Sequence, residues 1–220
     1  MNISEYIEHT LLKQDATKDG LAKLFEEAKE NNFLGVCVNP CFVRDAKTAL
    51  KDSDVKIVTV IGFPLGANTS EVKAFETKKA LEDGADEIDM VINVSKLKDK
   101  NFEYVKQDIE AVRHACPNNI LKVILETDLL TKDEIKKACE ICIDAKADLV
   151  KTSTGFVKNG VGAKVEDVEL MYKTVSPFGL KVKASGGIRD AENALALINA
   201  GANRLGTSSG LKIAEEMRNK

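Results

Sequence analysis

Short runs of β-branched and aliphatic residues alternate with longer stretches of mixed polarity along the whole chain. Seven runs read as strands: Phe33–Val38, Val55–Gly62, Glu87–Asn93, Leu121–Glu126, Asp148–Thr152, Leu180–Ala184 and Arg204–Gly206. An eighth, weaker candidate is His9–Leu12 near the start. Apolar runs of this length, bounded by turn residues, suit strands covered on both faces. The stretches between them carry helical punctuation. Ser70 can cap a helix that ends at Gly84, and Asp190 one that ends at Gly201. Phe25, Phe75 and Phe102 fall at helical spacings expected of core contacts.

One phrase recurs: a helix end, a small residue, an acid or amide, then a strand. It occurs as Gly84-Ala85-Asp86, Lys146-Ala147-Asp148 and Gly201-Ala202-Asn203, the mark of a weakly repeated βα unit. Strand–helix alternation implies parallel strands with right-handed crossovers. Eight units would take about 27 residues each, at the compact end for a (β/α)8 TIM barrel. A doubly wound sheet is the competing α/β architecture. No GxGxxG follows the first strand, which disfavours a dinucleotide-binding version of it. No linker or composition shift divides the chain, so one domain over residues 1–220 is expected.

Composition narrows the function. A net charge of −3 with interleaved acids and bases argues against nucleic-acid binding. No apolar run approaches the roughly 20 residues that cross a bilayer. Met1-Asn2-Ile3-Ser4-Glu5 lacks the features of a signal peptide. A cytoplasmic protein is therefore expected, with its five cysteines reduced.

In a barrel, chemistry sits where strands end and βα loops begin. Asp89 interrupts an otherwise apolar strand, Lys151 follows Leu149-Val150, and Lys183 lies in Val182-Lys183-Ala184-Ser185-Gly186-Gly187. Each lysine alone could snorkel to a rim. Three charges on three strands are harder to dismiss, because burying charge is costly unless it is partnered. Parity raises one difficulty: if Lys183 points inward, Lys181 should too, unless the strand begins near Val182. A second ammonium roughly 6 Å from a lysine, at an effective dielectric of about 20, adds about 2.8 kcal/mol of repulsion. That is about two pKa units, enough to help make one amine a Schiff-base former. Asp89 could then move protons through water.

Two glycine-rich segments, Ser185–Asp190 and Gly206–Gly210, each run from a strand into a helix. Glycines let backbone N–H groups reach an anion at a helix start. Barrels frequently bind phosphate after strands seven and eight, where these segments fall. Other clusters are weaker. Cys139-x-x-Cys142 sits inside a helical stretch with no second pair at zinc spacing. Only His9 and His114 exist, so a three-histidine metal site is excluded. His114 is expected on the surface, and Cys37 as a small core residue. On the residues alone a sugar-phosphate isomerase, a pyridoxal-phosphate protein and a non-catalytic phosphosugar-binding module stay open.

These segments resemble the deoxyribose-phosphate aldolases. The likeness is carried by Glu87-Ile88-Asp89-Met90-Val91, Val150-Lys151-Thr152-Ser153-Thr154-Gly155, Val182–Gly187, Val36-Cys37-Val38-Asn39-Pro40, Val60–Gly66 and Arg204–Ser209, in family order from about Tyr6 to Gly210. It implies that Lys151 forms a Schiff base and that Asp89 and Lys183 relay protons. Thr154, Gly155, Gly186, Gly187, Gly206, Ser208 and Ser209 would hold the substrate's phosphate end, with Glu8, Thr10 and Cys37 in support. The implied reaction is reversible cleavage of 2-deoxy-D-ribose 5-phosphate to glyceraldehyde 3-phosphate and acetaldehyde, without metal or organic cofactor. A cytoplasmic homodimer serving deoxynucleoside catabolism is implied as well. Three departures stand out: Glu8 replaces a usual aspartate, the loop Phe156–Lys164 is less glycine-rich than in many relatives, and Arg218-Asn219-Lys220 stands where some members end in a tyrosine.

Overall fold

A computed structural model describes residues 1–219. Eight strands, β1 (Ile7–Leu11), β2 (Gly35–Val38), β3 (Lys56–Ile61), β4 (Glu87–Val91), β5 (Ile120–Ile124), β6 (Leu149–Lys151), β7 (Lys181–Ser185) and β8 (Arg204–Thr207), pair in parallel and in chain order. The circle closes between β8 and β1, where Glu8 stands opposite Gly206. Nine helices accompany them among the described residues: α1 (Lys18–Glu30), α2 (Val43–Ala49), α3 (Ser70–Glu82), α4 (Val94–Lys98), α5 (Phe102–Ala115), α6 (Lys132–Asp144), α7 (Val165–Val175), α8 (Ala191–Asn199) and α9 (Gly210–Arg218). This is the expected (β/α)8 barrel. None of these helices is long and apolar enough to cross a membrane.

Apolar burial divides into two parts. The larger lies between the strands and the helices, with Val36, Ile88, Met90, Val123, Val150, Val182 and Leu205 facing helical residues such as Leu21, Val105 and Leu197. The smaller comprises Leu12, Cys37, Val58 and Val60, with Phe63 packed on it. Strand alternation turns Cys37, Val58 and Val60 to the barrel axis, on the β2–β3 side. The interior opposite is charged.

The repeated phrase proves to be a register lock. Asp86 accepts from Ile57 N at 2.8 Å, Asp148 from Leu121 N at 2.8 Å, and Asn203 from Val182 N at 3.0 Å. In each case the backbone N–H of the acid or amide donates back to the carbonyl of that same residue. One side chain thus fixes the lower end of a strand against its neighbour. The turn before it needs a left-handed residue, and Gly84, Lys146 and Gly201 supply φ of 109°, 57° and 110°. At Gly201 a Cβ would stand 2.3 Å from Tyr172 Cγ.

The helix starts need one correction and the aromatics another. Asp190 caps α8 as expected, accepting from Asn193 N at 2.8 Å. Ser70 does not cap α3: Thr69 holds the N-cap position, and Ser70 Oγ donates to Asp108 of α5 at 3.0 Å. Phe25 is buried and Phe102 packs half-buried on the core, but Phe75 is exposed. Its place on the inner face of α3 belongs to Lys73, which donates to Asp108 at 2.5 Å and to Val91 O at 2.9 Å. Lys181 does share the inward parity of Lys183, and β7 does begin there. It is solvated at the lower mouth beside Leu149 and Arg204, which removes the cost of its charge. His114 is exposed and Cys37 buried, as expected, and Cys139 and Cys142 are buried too.

The register lock carries a test. Asp86→Ala should destabilise the protein by about 1–2 kcal/mol, because Ile57 N–H loses its partner. Asp86→Asn should be near neutral, since Asn203 performs the same task at β8. Urea unfolding of both variants decides it; equal losses would contradict the lock.

Candidate active site

The charged part of the barrel interior is assembled by strand alternation. Glu8 on β1, Glu87 and Asp89 on β4, Lys122 on β5, Lys151 on β6, Lys183 on β7 and Arg204 on β8 converge there. Lys151 Nζ and Lys183 Nζ donate to the same oxygen, Asp89 Oδ2, at 2.8 and 2.7 Å. The two ammonium groups are therefore closer to each other than two hydrogen bonds laid end to end. Asp89 Oδ1 accepts from Lys122 Nζ at 3.0 Å, and Glu8 Oε2 accepts from Lys183. Below them Lys122 stands 2.5 Å from Glu87 Oε2, at an angle too poor for a directed hydrogen bond, while Arg204 reaches Glu8 and Glu87 at 3.4 Å each.

The proton affinities follow from this packing. Burial pushes Asp89 upward, but Lys122, Lys151 and Lys183 outweigh it and hold the carboxyl well below the usual carboxylate range. Glu8 is likewise lowered, burial being overcome by Lys122 and Lys183. Burial alone would lower Lys183 and Lys122, yet Asp89 and Glu8 raise both. The second ammonium expected beside Lys151 is thus firmly charged. The Cys37 thiol is pushed up to about 11 by burial, which suits a packing residue better than a nucleophile.

Above the cluster opens a cavity of about 530 Å³ at the C-terminal ends of the strands. Lys151 is the one member of the charged cluster in its wall, together with Thr10, Thr154 and Gly155, and with Gly186, Gly187, Gly206, Ser208 and Ser209. Glu8, Asp89, Lys183 and Cys37 lie beneath it, fully buried. Gly186 and Gly187 have φ of 87° and 73°. A Cβ at Gly187 would stand 2.4 Å from Val161 O, and one at Gly206 2.4 Å from Ser185 Oγ and 3.0 Å from Lys183 Cε. The Ser185 hydroxyl is buried in this wall without a partner. Ser209 gives α9 no side-chain cap, so the N–H groups of its first turn are left for an anion. The loop Phe156–Lys164 folds over the Gly-Gly turn, with Ala163 N donating to Gly186 O at 3.0 Å and Gly162 N to Asp128 at 2.7 Å.

A carboxylate that joins two lysines beneath an anion-ready cavity suits carbonyl chemistry on a phosphorylated compound. Comparison with known proteins points the same way, for the sequence model of the DeoC/LacD family aldolases matches residues 5–216. The chain belongs to that family. It is therefore an enzyme, a lyase of the aldolase type. A deoxyribose-phosphate aldolase of Finegoldia magna is 55% identical over 215 residues, spanning 98% of this chain and 100% of the other. One from Brevibacillus brevis is 56% identical over 213 residues, 97% and 95% of the two chains. The tetrameric deoxyribose phosphate aldolase of Aeropyrum pernix superposes with a TM-score of 0.90 at 34% identity, covering 99% of this chain and 91% of the other.

Several residues of this DeoC/LacD aldolase were not singled out by sequence reasoning. Lys122 and Glu87 carry the signal that exposed Asp89, a charge at an inward position of an apolar strand. Arg189, Lys212 and Lys13 add positive charge to the cavity wall. Glu126 is less legible. The run expected to be strand through Glu126 ends at Ile124, and Glu126 turns left-handed, at φ 61° and ψ 61°. Its carboxylate accepts from Thr154 N at 3.1 Å and from the Thr154 hydroxyl, tying β5 to the segment after Lys151. Burial pushes this carboxyl up, against the two bonds from Thr154.

The cluster predicts an acid limb of stability. Unfolded carboxylates titrate near pH ~4, whereas Asp89 and Glu8 titrate lower in the fold. Both therefore contribute stability above that pH and lose it as pH falls through their folded values. Urea unfolding should be level through neutral pH and weaken below about pH 4. Asp89→Asn should cost about 3–5 kcal/mol at neutral pH, by stranding buried ammonium groups, and should flatten the acid limb. An unaltered acid limb in that variant would contradict the assignment.

Proposed function

We propose that the chain is a class I deoxyribose-phosphate aldolase, which cleaves 2-deoxy-D-ribose 5-phosphate through an imine on Lys151. One observation carries this reading: Lys151 alone joins the buried charge cluster to the cavity that has anion-ready loops. Four cations (Lys122, Lys151, Lys183 and Arg204) share three carboxylates (Glu8, Glu87 and Asp89). One proton can leave without stranding a carboxylate, and the cavity wall is where a neutral amine is useful.

In this mechanism Lys151 Nζ attacks C1 of the open-chain aldehyde, and loss of water gives the iminium. Asp89, bonded to both lysines, takes and returns the protons of this dehydration through water, with Lys183 as the fixed charge beside it. Removal of the C3 hydroxyl proton breaks the C2–C3 bond and releases glyceraldehyde 3-phosphate; its electron pair moves into the iminium, leaving an enamine. Protonation at C2 and hydrolysis then release acetaldehyde and restore the amine. Gly186, Gly187, Gly206, Ser208 and Ser209 would hold the phosphate, with Thr154 and Gly155 closing the β6 side. Thr10 flanks the cavity, Glu8 neutralises Lys183, and Cys37 belongs to the apolar wall. Residues 1–220 would act as one catalytic domain, in a cytoplasmic homodimer that serves deoxyribose-phosphate catabolism.

Borohydride added with deoxyribose 5-phosphate should fix a reduced adduct on Lys151, located by peptide mass spectrometry and absent from Lys151→Ala. Failure to trap any lysine in folded, saturated protein would overturn the reading. Lys122→Met tests the charge balance. Without Lys122 three cations meet three carboxylates, and no proton can leave without stranding one, so imine trapping on Lys151 at neutral pH should slow by about tenfold. Glu126→Ala should raise KM by about tenfold through a looser Thr154–Gly155 segment, while Lys151 stays trappable.

A further inference from the structure

Several hydroxyl groups of the cavity wall are already occupied. Thr10 donates to Glu8 O at 2.9 Å, Thr207 to Ile188 O at 2.7 Å, and Thr154 to the Glu126 carboxylate. Ser185 differs. The residue is only 5% exposed, and its Oγ has no hydrogen-bond partner among the described residues. Other buried side-chain atoms without a partner belong to His9, Glu87 and Arg113, none of which lines this cavity. Burying a hydroxyl in this way costs its desolvation and returns nothing while the cavity holds no ligand. The backbone beneath it is fixed twice by Thr152, whose Oγ1 accepts from Ser185 N and donates to Ser185 O, at 2.9 Å each. Gly206 stands opposite Ser185 in register on β8, and a Cβ there would lie 2.4 Å from Ser185 Oγ. The space that any other residue at 206 would fill is kept for the hydroxyl.

Position along β7 decides what the hydroxyl meets. Lys183, two residues earlier on the same inward face, belongs to the ionic cluster beneath the cavity. Gly186 and Gly187, directly after Ser185, begin an anion-ready loop of the wall. Ser185 therefore stands between the levels of the carbonyl end and the phosphate end of a bound sugar phosphate. In open-chain deoxyribose 5-phosphate, C4 lies midway between C1 and phosphorus. Its hydroxyl is left intact when the C2–C3 bond breaks, whereas the C3 hydroxyl becomes the product carbonyl. We infer that the Ser185 hydroxyl binds the C4 hydroxyl of the substrate and is a specificity-determining residue for that half of it. The inference rests on the aldolase reading and deepens it. A site built to hydrogen-bond a substrate hydroxyl discriminates against the analogue that lacks it, because a buried polar group then stays unpaired. In the bond-forming direction the same carbon is C2 of glyceraldehyde 3-phosphate.

Initial rates of aldol addition test this role. Acetaldehyde is held saturating, and the acceptor is either D-glyceraldehyde 3-phosphate or 3-oxopropyl phosphate, the same aldehyde without its C2 hydroxyl. The wild type should favour the hydroxylated acceptor by about tenfold in kcat/KM. Ser185→Ala should raise KM for glyceraldehyde 3-phosphate about tenfold, keep kcat within about twofold, and treat 3-oxopropyl phosphate as the wild type does. Its urea midpoint should not fall, since Oγ has no partner to lose. A loss shared equally by the two acceptors would overturn the role of Ser185. So would a wild type indifferent to the C2 hydroxyl, an outcome that needs no variant; in both cases imine trapping on Lys151 would still stand. No aldol product from either aldehyde would overturn the aldolase reading itself, and this role with it.

Discussion

Asp89 is a single carboxylate that accepts hydrogen bonds from three lysines, at a depth where only Lys151 reaches the cavity and the other three groups are fully buried. Taking such charges out of water costs several kcal/mol per ion, and their attraction returns that cost only where the geometry is good. The cluster is therefore no source of net stability. What holds the protein is the apolar layer between strands and helices, which is continuous around the barrel. The cluster is carried by that layer, and it can be carried because alternation sends Ile88 and Met90 outward while Glu87 and Asp89 turn inward. Once Asp89 is placed, much else is constrained. Lys151 and Lys183 must reach one oxygen from adjacent strands, and their pairing in register, Lys151 opposite Lys183, provides this. Gly206 must lack a side chain because Lys183 and Ser185 pass where it would be.

The interior is consequently divided. Leu12, Cys37, Val58 and Val60 keep the β2–β3 side apolar, and the ionic groups fill the side that runs from β4 round to β1. Lys151 sits where the ionic side opens upward, beneath the loops that follow β7 and β8. A substrate anchored by an anion at those loops would bring its far end down to the amine. Glu126 serves this arrangement from β5. A left-handed backbone on a non-glycine residue costs of order 1–3 kcal/mol, and such strain persists only where surrounding structure over-determines it. Here Thr154 over-determines it with two bonds to the carboxylate.

What the sequence made legible follows the same physics. Eight alternating units and a charge inside an apolar strand are periodic or compositional signals, so the barrel, Asp89, Lys151 and Lys183 could all be read. Lys122 lay in an equally apolar run and was readable by the same rule. Phe75 misled because helical spacing reports which residues share a face, but not which way that face points. Only the tertiary pairing of Lys73 with Asp108 decides it. Thr69 and Ser70 are adjacent hydroxyl residues, either able to cap, and Asp108 some forty residues away claims the second. The backbone of Glu126 carried no local cue, since a carboxylate is as ordinary after a strand as within one.

The division of labour between side-chain charge and backbone charge has a physical reason. A cavity that took its anion with lysines alone would place further full charges beside Lys151, and each would change the number of protons the cluster holds. Backbone N–H groups at a helix start amount to roughly half a charge, and their influence fades within the first turn. In the proposed function, Gly186, Gly187 and the uncapped start of α9 would take the anion while leaving the amine to Asp89 and Lys183. The full cations of the wall, Arg189, Lys212 and Lys13, come from the loops and helix around its mouth. There they can draw an anion inward without joining the buried cluster. Glycine in these loops is thus an electrostatic choice as much as a steric one.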